Sequence, residues 1–388
     1  MTPHAFDSIT ADELRRRGSL KWSTFPGTIG AFVAEMDFGV APEIERALHD
    51  AVTAADFGYL PARLSGAMSA ATADWLQRSS GWEVDPGAIA PVADVISALQ
   101  VTIEHYSAPG APVIVPTPAY MPFLTVPALF GRDVIEVPLA EVDGRYELDL
   151  EAIDRALAPR GGLFVLCNPY NPVGRVFSRE ELTALSEVIE RRGARVFSDE
   201  IHAPLIFSGH RQVSYASISD AAASHTVTAT SASKAWNLAG LKCAQIIFSN
   251  AADLAVWEKV GMMASHGASN LGVIANTAAY SAGVPWLEDV VDYLDGNRRA
   301  LGALLSEHLP QVRYSIPEGT YIAWLDWREH SFADTAADVL RTQAGVAMTD
   351  GVMCGAAGRG FTRLIFATPR PVLAQAVERM ASAVAAIA

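Results

Sequence analysis

Two of the chain's four lysines stand eight positions apart in the segment 229–249, ATSASKAWNLAGLKCAQIIFS. Lysine is scarce here, because 25 of the 29 basic residues are arginine. A lysine amine can lose its proton and attack an aldehyde, whereas a guanidinium group stays charged and does not. The two amines, Lys234 and Lys242, are therefore the first candidates for chemistry in this sequence.

The residues that could act with these lysines follow a series of short apolar runs. From about residue 46 to 285, β-branched runs alternate with longer helical patterns, which predicts a mostly parallel sheet covered by helices. The runs are APVIVPTP, DVIEVPL, GLFVLCNP, ARVFSDE, TVTATS and AQIIFS. Between two of them, SREELTALSEVIERRG has the serine cap, acidic first turn and closing glycine of a helix.

Ligands of open parallel sheets bind at the carboxyl ends of the strands, so the residues just past each predicted strand form the candidate site. These residues are Tyr120, Asn168, Asn171, Asp199, His202, Ser231, Ser233 and Lys234. An amine, a carboxylate, an amide and an aromatic ring are thus expected at one edge of the sheet. A Schiff-base lysine, an acid beside a pyridine nitrogen and a stacking ring together make up a site for pyridoxal 5'-phosphate.

The length of 388 residues and a change of pattern near residue 286 predict two domains. The large domain covers 46–285. Residues 1–45 and 286–388 form a smaller, discontinuous α+β domain, in which a long helical pattern precedes an antiparallel-looking pair of strands. No GxGxxG follows the first predicted strand, which argues against a dehydrogenase.

Composition and charge narrow the function classes further. A net charge of -14 with a pI near 5.1 argues against binding to nucleic acid, which needs a concentrated basic surface. No apolar run approaches the roughly 18 residues that span a bilayer, and the first residues lack a signal pattern, so we predict a cytoplasmic protein that does not bind a membrane. The three cysteines have no CxxC spacing, so we predict neither disulfides nor a metal site.

Five segments in order along the chain resemble those of a known enzyme family. They are VAEMDF, CNPYNPVGRVF, SDEIHAPL, SKAWNLAGLK and RLIFATP. Together they resemble the fold-type I pyridoxal phosphate enzymes, in the aminotransferase-like cystathionine β-lyase, or carbon–sulfur lyase, branch. The resemblance runs from about residue 20 to the end. It implies an α/β fold with a large sheet domain and a smaller α+β domain, pyridoxal 5'-phosphate as cofactor and a small amino-acid substrate.

The resemblance implies roles for the residues around the cofactor ring. Lys234 matches the lysine that forms the Schiff base and later acts as general base. Asp199 matches the partner that keeps the pyridine nitrogen protonated, and Tyr120 the ring that stacks on the pyridine. Asn171 would donate to the phenolic oxygen, with His202 close to the same oxygen.

The phosphate of the cofactor needs hydrogen-bond donors and positive potential. A helix that begins near ADVISALQVTIEHY would point the backbone amides of Val95 and Ile96 at it. Relatives often have glycine where Asp94 stands, so this carboxylate must either turn away from the phosphate or cap the helix. Ser231 fits a hydroxyl donor, and Lys242 matches a basic residue that neutralises the phosphate.

Three further residues follow from the resemblance. Arg363 matches the residue that holds the substrate α-carboxylate with a bidentate fork, and the backbone near Ala34 could assist it. Tyr59 matches a tyrosine that reaches the phosphate of the neighbouring subunit. The resemblance therefore implies a homodimer with shared active sites.

The function implied is that of a cysteine-S-conjugate β-lyase, with cystathionine as the favoured substrate. An aminotransferase is the first alternative, because it would use the same residues. A regulatory protein that binds pyridoxal phosphate without turnover is the second. Lys234, Asp199, Asn171 and Arg363 argue against the second alternative, since pure binding would not require the whole set.

Overall fold

The computed structural model of the protein describes residues 3–158 and 161–387. Its strands are Ile29–Gly30 (β1), Ile89–Val92 (β2), Val113–Thr117 (β3), Val134–Pro138 (β4), Ala140–Val142 (β5), Arg145–Glu147 (β6), Leu163–Cys167 (β7), Arg195–Asp199 (β8), Thr226–Thr230 (β9), Ala244–Phe248 (β10), Arg313–Tyr314 (β11), Ile322–Asp326 (β12), Val346–Ala347 (β13), Thr349–Asp350 (β14) and Phe361–Ile365 (β15). Its α-helices are Pro3–Asp7 (α1), Ala11–Arg17 (α2), Leu20–Ser23 (α3), Pro42–Thr53 (α4), Ala62–Ser80 (α5), Val95–His105 (α6), Met121–Leu129 (α7), Leu150–Leu157 (α8), Arg179–Arg192 (α9), Asp220–His225 (α10), Ala251–Ala264 (α11), Asn270–Ala282 (α12), Val284–His308 (α13), Ala336–Val339 (α14) and Arg370–Ile387 (α15). None of the helices within these described ranges is both long and apolar enough to cross a membrane.

The largest sheet has seven strands in the order β2-β10-β9-β8-β7-β3-β4. Strands β4, β3, β7, β8 and β9 pair in parallel, whereas β10 is antiparallel to both β9 and β2. The predicted mostly parallel sheet is confirmed, with the AQIIFS run as its reversed strand and β2 as a strand that the pattern did not single out. Because β2 and β9 both oppose β10, the carboxyl ends of β2, β3, β7, β8 and β9 lie at one edge.

Helix α9 follows the local signals of its sequence. The Ser178 hydroxyl accepts a hydrogen bond from the Glu181 backbone, and the Glu181 carboxylate accepts one from the Ser178 backbone. Gly193 ends the helix in the left-handed region at a φ of 59°. The predicted helix is confirmed, and its apolar face packs into the core around the large sheet through Leu182, Leu185, Val188 and Ile189.

A second, four-stranded antiparallel sheet has the order β11-β12-β15-β14. It contains the predicted antiparallel pair, because β12 pairs with β15. The N-terminal segment joins this half of the molecule, since β1 pairs with β13. The hydrophobic cluster around this sheet also includes Trp236 and Tyr280, so the domain boundaries at 45/46 and 285/286 stay a prediction.

Candidate active site

A cavity of about 190 Å³ lies at the carboxyl edge of the seven-stranded sheet. Its walls come from the segments that follow β2, β3, β7, β8 and β9, and from the turn that precedes β10. Nearly all residues predicted for the cofactor site line it: Val95, Ile96, Tyr120, Asn171, Asp199, His202, Lys234 and Lys242, together with Ala34. The strand-end rule therefore located the cavity from the sequence.

Lys234 lies in the turn that follows β9, and its amine donates to the Ala34 carbonyl oxygen at 3.1 Å. Burial, and then the charge of Arg363, lower the pKa of this amine to about 8, against the opposing effect of Glu35 and Asp199. A lysine with this pKa is partly uncharged near neutral pH. The amine can therefore act as a nucleophile or as a general base.

Asp199 ends β8 with its carboxylate buried beside the cavity. Burial raises its pKa to about 7, although the hydrogen bond from the Ile201 backbone, at 3.0 Å, and the charge of Lys234 oppose this. A buried carboxylate becomes fully ionised when a cation lies against it. The environment of Asp199 therefore suits a positively charged ligand atom.

Arg363 lies in β15 of the second sheet, behind Asn171 in the cavity wall. Its Nη1 atom donates to Asn171 Oδ1 at 3.2 Å, and its Nη2 atom donates to the Phe32 carbonyl at 2.9 Å and to the Thr349 hydroxyl at 3.3 Å. Its Nε atom is buried and has no hydrogen-bond partner within the described residues. A buried guanidinium with a free donor can bind a carboxylate, because the anion would balance the positive charge of the guanidinium and accept a hydrogen bond from its Nε atom.

The N-terminus of α6 faces the cavity. The Asp94 carboxylate caps this helix by accepting from the Ser97 amide at 2.8 Å, which leaves the first two amides, of Val95 and Ile96, in the cavity wall. Burial alone would raise the pKa of Asp94, but hydrogen bonds from Ser97 and from Lys242, at 3.0 Å, hold it below its ordinary value. Of the two orientations left open for Asp94, the structure has the capping one.

Tyr120 and His202 complete the walls of the cavity. Burial, and then the charges of Lys234 and Arg363, lower the pKa of His202 to about 3, so its imidazole is neutral. Its Nδ1 atom is buried without a hydrogen-bond partner among the described residues, and its ring centroid lies 5.8 Å from that of Tyr321 in a T-shaped arrangement. No group of three or more His, Cys, Asp or Glu side chains in the described chain is placed to hold a metal ion.

Three predicted residues do not line this cavity: Arg363, which contacts Asn171 in its wall, and Ser231 and Tyr59. The buried Ser231 hydroxyl donates to the Cys243 carbonyl at 2.7 Å and accepts from the Ser233 amide at 3.0 Å. Tyr59 is 91% exposed and lines a separate surface cavity of about 1010 Å³, which Lys242 also borders. In a single chain, Tyr59 therefore lies at the surface, outside the cavity that contains Lys234.

Sequence reasoning missed two side chains that contact residues 34–37, the segment whose Ala34 carbonyl accepts from Lys234. The Tyr321 hydroxyl donates to the Ala34 carbonyl at 2.9 Å, the same oxygen that accepts from the Lys234 amine. Lys21 is buried, with its amine 2.9 Å from the Asp37 carboxylate and 2.9 Å from the Glu35 carbonyl. The scarcity of lysine was a signal for Lys21, whereas nothing in the local sequence marked Tyr321.

Comparisons with known proteins agree with this geometry. The family profile described as "Aminotransferase class I and II" matches residues 33–380. A cystathionine beta-lyase of Corynebacterium glutamicum is 38% identical over 375 residues, which cover 96% of this chain and 98% of that protein. A cystathionine beta-lyase of Bacillus subtilis is 34% identical, and the match covers 89% of this chain and 91% of that protein.

Among solved structures, cystalysin from Treponema denticola, which contains a pyridoxal 5'-phosphate cofactor, has a TM-score of 0.93 at 26% identity. That match covers 99% of this chain and 100% of that chain. The predicted fold class and family resemblance are confirmed. The chain belongs to the class I and II aminotransferase family, in the carbon–sulfur lyase branch of the fold-type I pyridoxal-phosphate-dependent enzymes.

Proposed function

We propose that the protein is a pyridoxal-phosphate-dependent β-lyase that cleaves L-cystathionine to homocysteine, pyruvate and ammonia. The observation that carries this proposal is the assembly, in one buried cavity, of the Lys234 amine and the Asp199 carboxylate. The cystathionine beta-lyases of Corynebacterium glutamicum and Bacillus subtilis support cystathionine as the substrate. A cytoplasmic location stays a prediction from the sequence.

The residues of the cavity fit pyridoxal phosphate. Asp199 is a buried carboxylate whose raised pKa reflects burial without a sufficient counter-charge, and a protonated pyridine nitrogen would supply that charge. The N-terminal turn of α6, at Val95 and Ile96, and the Lys242 side chain all line the cavity, and together they suit a phosphate group. The buried Lys234 amine can bind the aldehyde. Ser231 would add a donor to the phosphate only by leaving the Cys243 carbonyl.

The chain's own residues perform the remaining steps. Arg363 binds the substrate α-carboxylate through its free Nε atom and an adjacent Nη atom, and Asn171 holds the guanidinium in place. The Ala34 carbonyl accepts from Lys234, so only the Ala34 amide could assist at the carboxylate. The Lys234 amine removes the Cα proton, for which a pKa of about 8 is well suited.

The cofactor, when bound, acts as an electron sink for the charge left on Cα. That charge can expel the thiolate from Cβ, because the carbon–sulfur bond breaks with both electrons on sulfur. The aminotransferase alternative would use the same residues but would leave the bond from Cβ to sulfur intact and pass the amino group to a 2-oxo acid. A substrate with a thiolate leaving group favours elimination, and the relatives named as lyases support this choice.

The site of bond cleavage distinguishes β-elimination from other reactions of cystathionine. We expect the purified protein, loaded with pyridoxal phosphate, to release pyruvate and homocysteine. The measurement is mass spectrometry of the 2-oxo acid and the thiol. Release of 2-oxobutyrate and cysteine would show cleavage on the γ side, and absence of any product from folded, loaded protein would refute the proposed substrate.

We also propose that two copies form a homodimer in which Tyr59 of one chain completes the other's site. Tyr59 is almost fully exposed, and apolar side chains near its cavity, Met262 and Met263, are 78% and 71% exposed. Exposed apolar surface of this kind marks contact with another molecule.

Mixed dimers test the shared site. Tyr59→Phe and Arg363→Ala should each lower activity, and mixing the two variants should restore part of it, because one of the two sites in a mixed dimer then contains no substitution. The measurement is the rate of pyruvate release after subunit exchange, with each variant alone as the control. Mixed dimers verified by mass spectrometry that gain no activity would contradict the shared site.

A further inference from the structure

Residues 32–37, here called the strap, run past the cavity and are held by side chains from distant parts of the chain. These side chains donate to four of its backbone carbonyls: Arg363 and Thr349 to Phe32, Lys234 and Tyr321 to Ala34, Lys21 to Glu35, and Asn237 to Met36. The strap therefore has a defined position at nearly every residue. Its Ala34 carbonyl is the acceptor for the Lys234 amine.

Lys21 is one of the fully buried side chains that hold the strap. Its side chain is 0% exposed, and its amine lies 2.9 Å from the Asp37 carboxylate, which also accepts from the Trp22 indole at 2.8 Å. The backbone of Lys21 is packed tightly as well, because a Cβ atom at Gly30 would lie 1.9 Å from the Lys21 carbonyl oxygen. Helix α3 and strand β1 thus fix the position of this lysine on both sides.

A buried ion pair is weak support for a purely stabilising role. Apolar residues of similar volume often replace such a pair without loss of stability, because the desolvation of both charges offsets their attraction. The feature that apolar residues could not reproduce is the second bond of the Lys21 amine, to the Glu35 carbonyl. That carbonyl is one residue from Ala34, whose carbonyl receives the Lys234 amine.

We propose that Lys21 is a positioning residue for Lys234. Its ion pair with Asp37 and its bond to the Glu35 carbonyl fix the strap, and the strap fixes the acceptor that orients the Lys234 amine. The Tyr321 hydroxyl donates to the same Ala34 oxygen. This hydrogen bond keeps the carbonyl in place when the Lys234 amine leaves it for another partner. The inference rests on the proposed function only in taking Lys234 as the reacting amine.

The protonation of Lys234 reports on this role without any turnover. In the full-length chain freed of cofactor, labelling of Lys234 by an amine-specific reagent is followed from about pH 6 to about pH 10 by peptide mass spectrometry. The wild-type midpoint is expected at about 8. The charged groups that face Lys234, which are Arg363, Glu35 and Asp199, are the same in every variant.

Lys21→Met should move this midpoint upward. A loosened strap lets water reach the amine, and water favours the charged form. A rise of about one pH unit lowers the labelling rate at neutral pH by about tenfold. If Lys21→Met does not fold, the double variant Lys21→Met/Asp37→Asn leaves no uncompensated carboxylate and carries the same expectation.

A matched control breaks a different ion pair. Arg195 begins β8, at the opposite end of the strand from Asp199, and forms an ion pair with Asp253. Arg195→Met removes this pair and should leave the midpoint of Lys234 labelling unchanged. An unchanged midpoint in a folded Lys21 variant, or an equal rise in the Arg195 variant, would overturn the proposal. Because no substrate is present, this outcome is independent of whether cystathionine is cleaved.

Discussion

Lys234→Ala should reduce kcat with cystathionine by about 10³-fold or more, because it removes both the amine that binds the cofactor and the base that takes the Cα proton. The side chain lies in a turn, and within the described residues its amine makes one hydrogen bond, to the Ala34 carbonyl, so the variant should fold. The same substitution should abolish borohydride-dependent attachment of pyridoxal phosphate. Peptide mapping of the reduced wild-type protein should place the label on Lys234.

The other lysines supply the control for this experiment. Lys259 is exposed in α11, so Lys259→Ala should keep full activity and full labelling. A label found on Lys21, Lys242 or Lys259, or a Lys234→Ala variant that retains turnover, would remove the basis of the proposed site.

Asp199→Asn should have the second-largest effect, with kcat lower by roughly 10²- to 10³-fold, in the range typical of losing one preorganised electrostatic group. The amide keeps the size of the carboxylate and can still accept from the Ile201 backbone, but it carries no charge to hold a proton on the pyridine nitrogen. The change should act on kcat more than on KM, because substrate binding depends on Arg363. Steady-state kinetics of the loaded variant measure both parameters.

A neighbouring carboxylate is the matched control for Asp199. Glu200 is equally buried, but it accepts from Ser198, Ser214 and the Tyr215 backbone and does not line the cavity. Glu200→Gln should therefore change kcat far less. Equal losses in the two variants would mean that burial of a carboxylate at this strand end, rather than its position beside the ligand, explains the effect.

Much of the site was predictable because it depends on local patterns. Tyr120, Asn171, Asp199 and Lys234 each lie at or shortly after the end of a predicted strand, and parallel strands bring such positions to one edge. The direction of β10 was not predictable, since an antiparallel central strand has the same apolar pattern as a parallel one.

Contacts between distant segments explain what the sequence did not reveal. Tyr321 and Ala34 are 287 positions apart, and Lys21 meets its partners only because α3 packs against the strap. Asp94 is an intermediate case. Its position before a helix left two orientations for the carboxylate, capping the helix or turning away from the phosphate. The structure shows the capping orientation, in which the carboxylate also accepts from Lys242.

The proposed β-lyase activity is tested most directly by the balance of products from L-cystathionine without any added 2-oxo acid. Elimination needs no acceptor for the amino group, so we predict pyruvate, ammonia and free thiol in equal amounts through many turnovers. Alanine, which has no leaving group at Cβ, should give at most a slow conversion of the cofactor. Product formation that requires an added 2-oxo acid would contradict the lyase assignment and identify the protein as an aminotransferase.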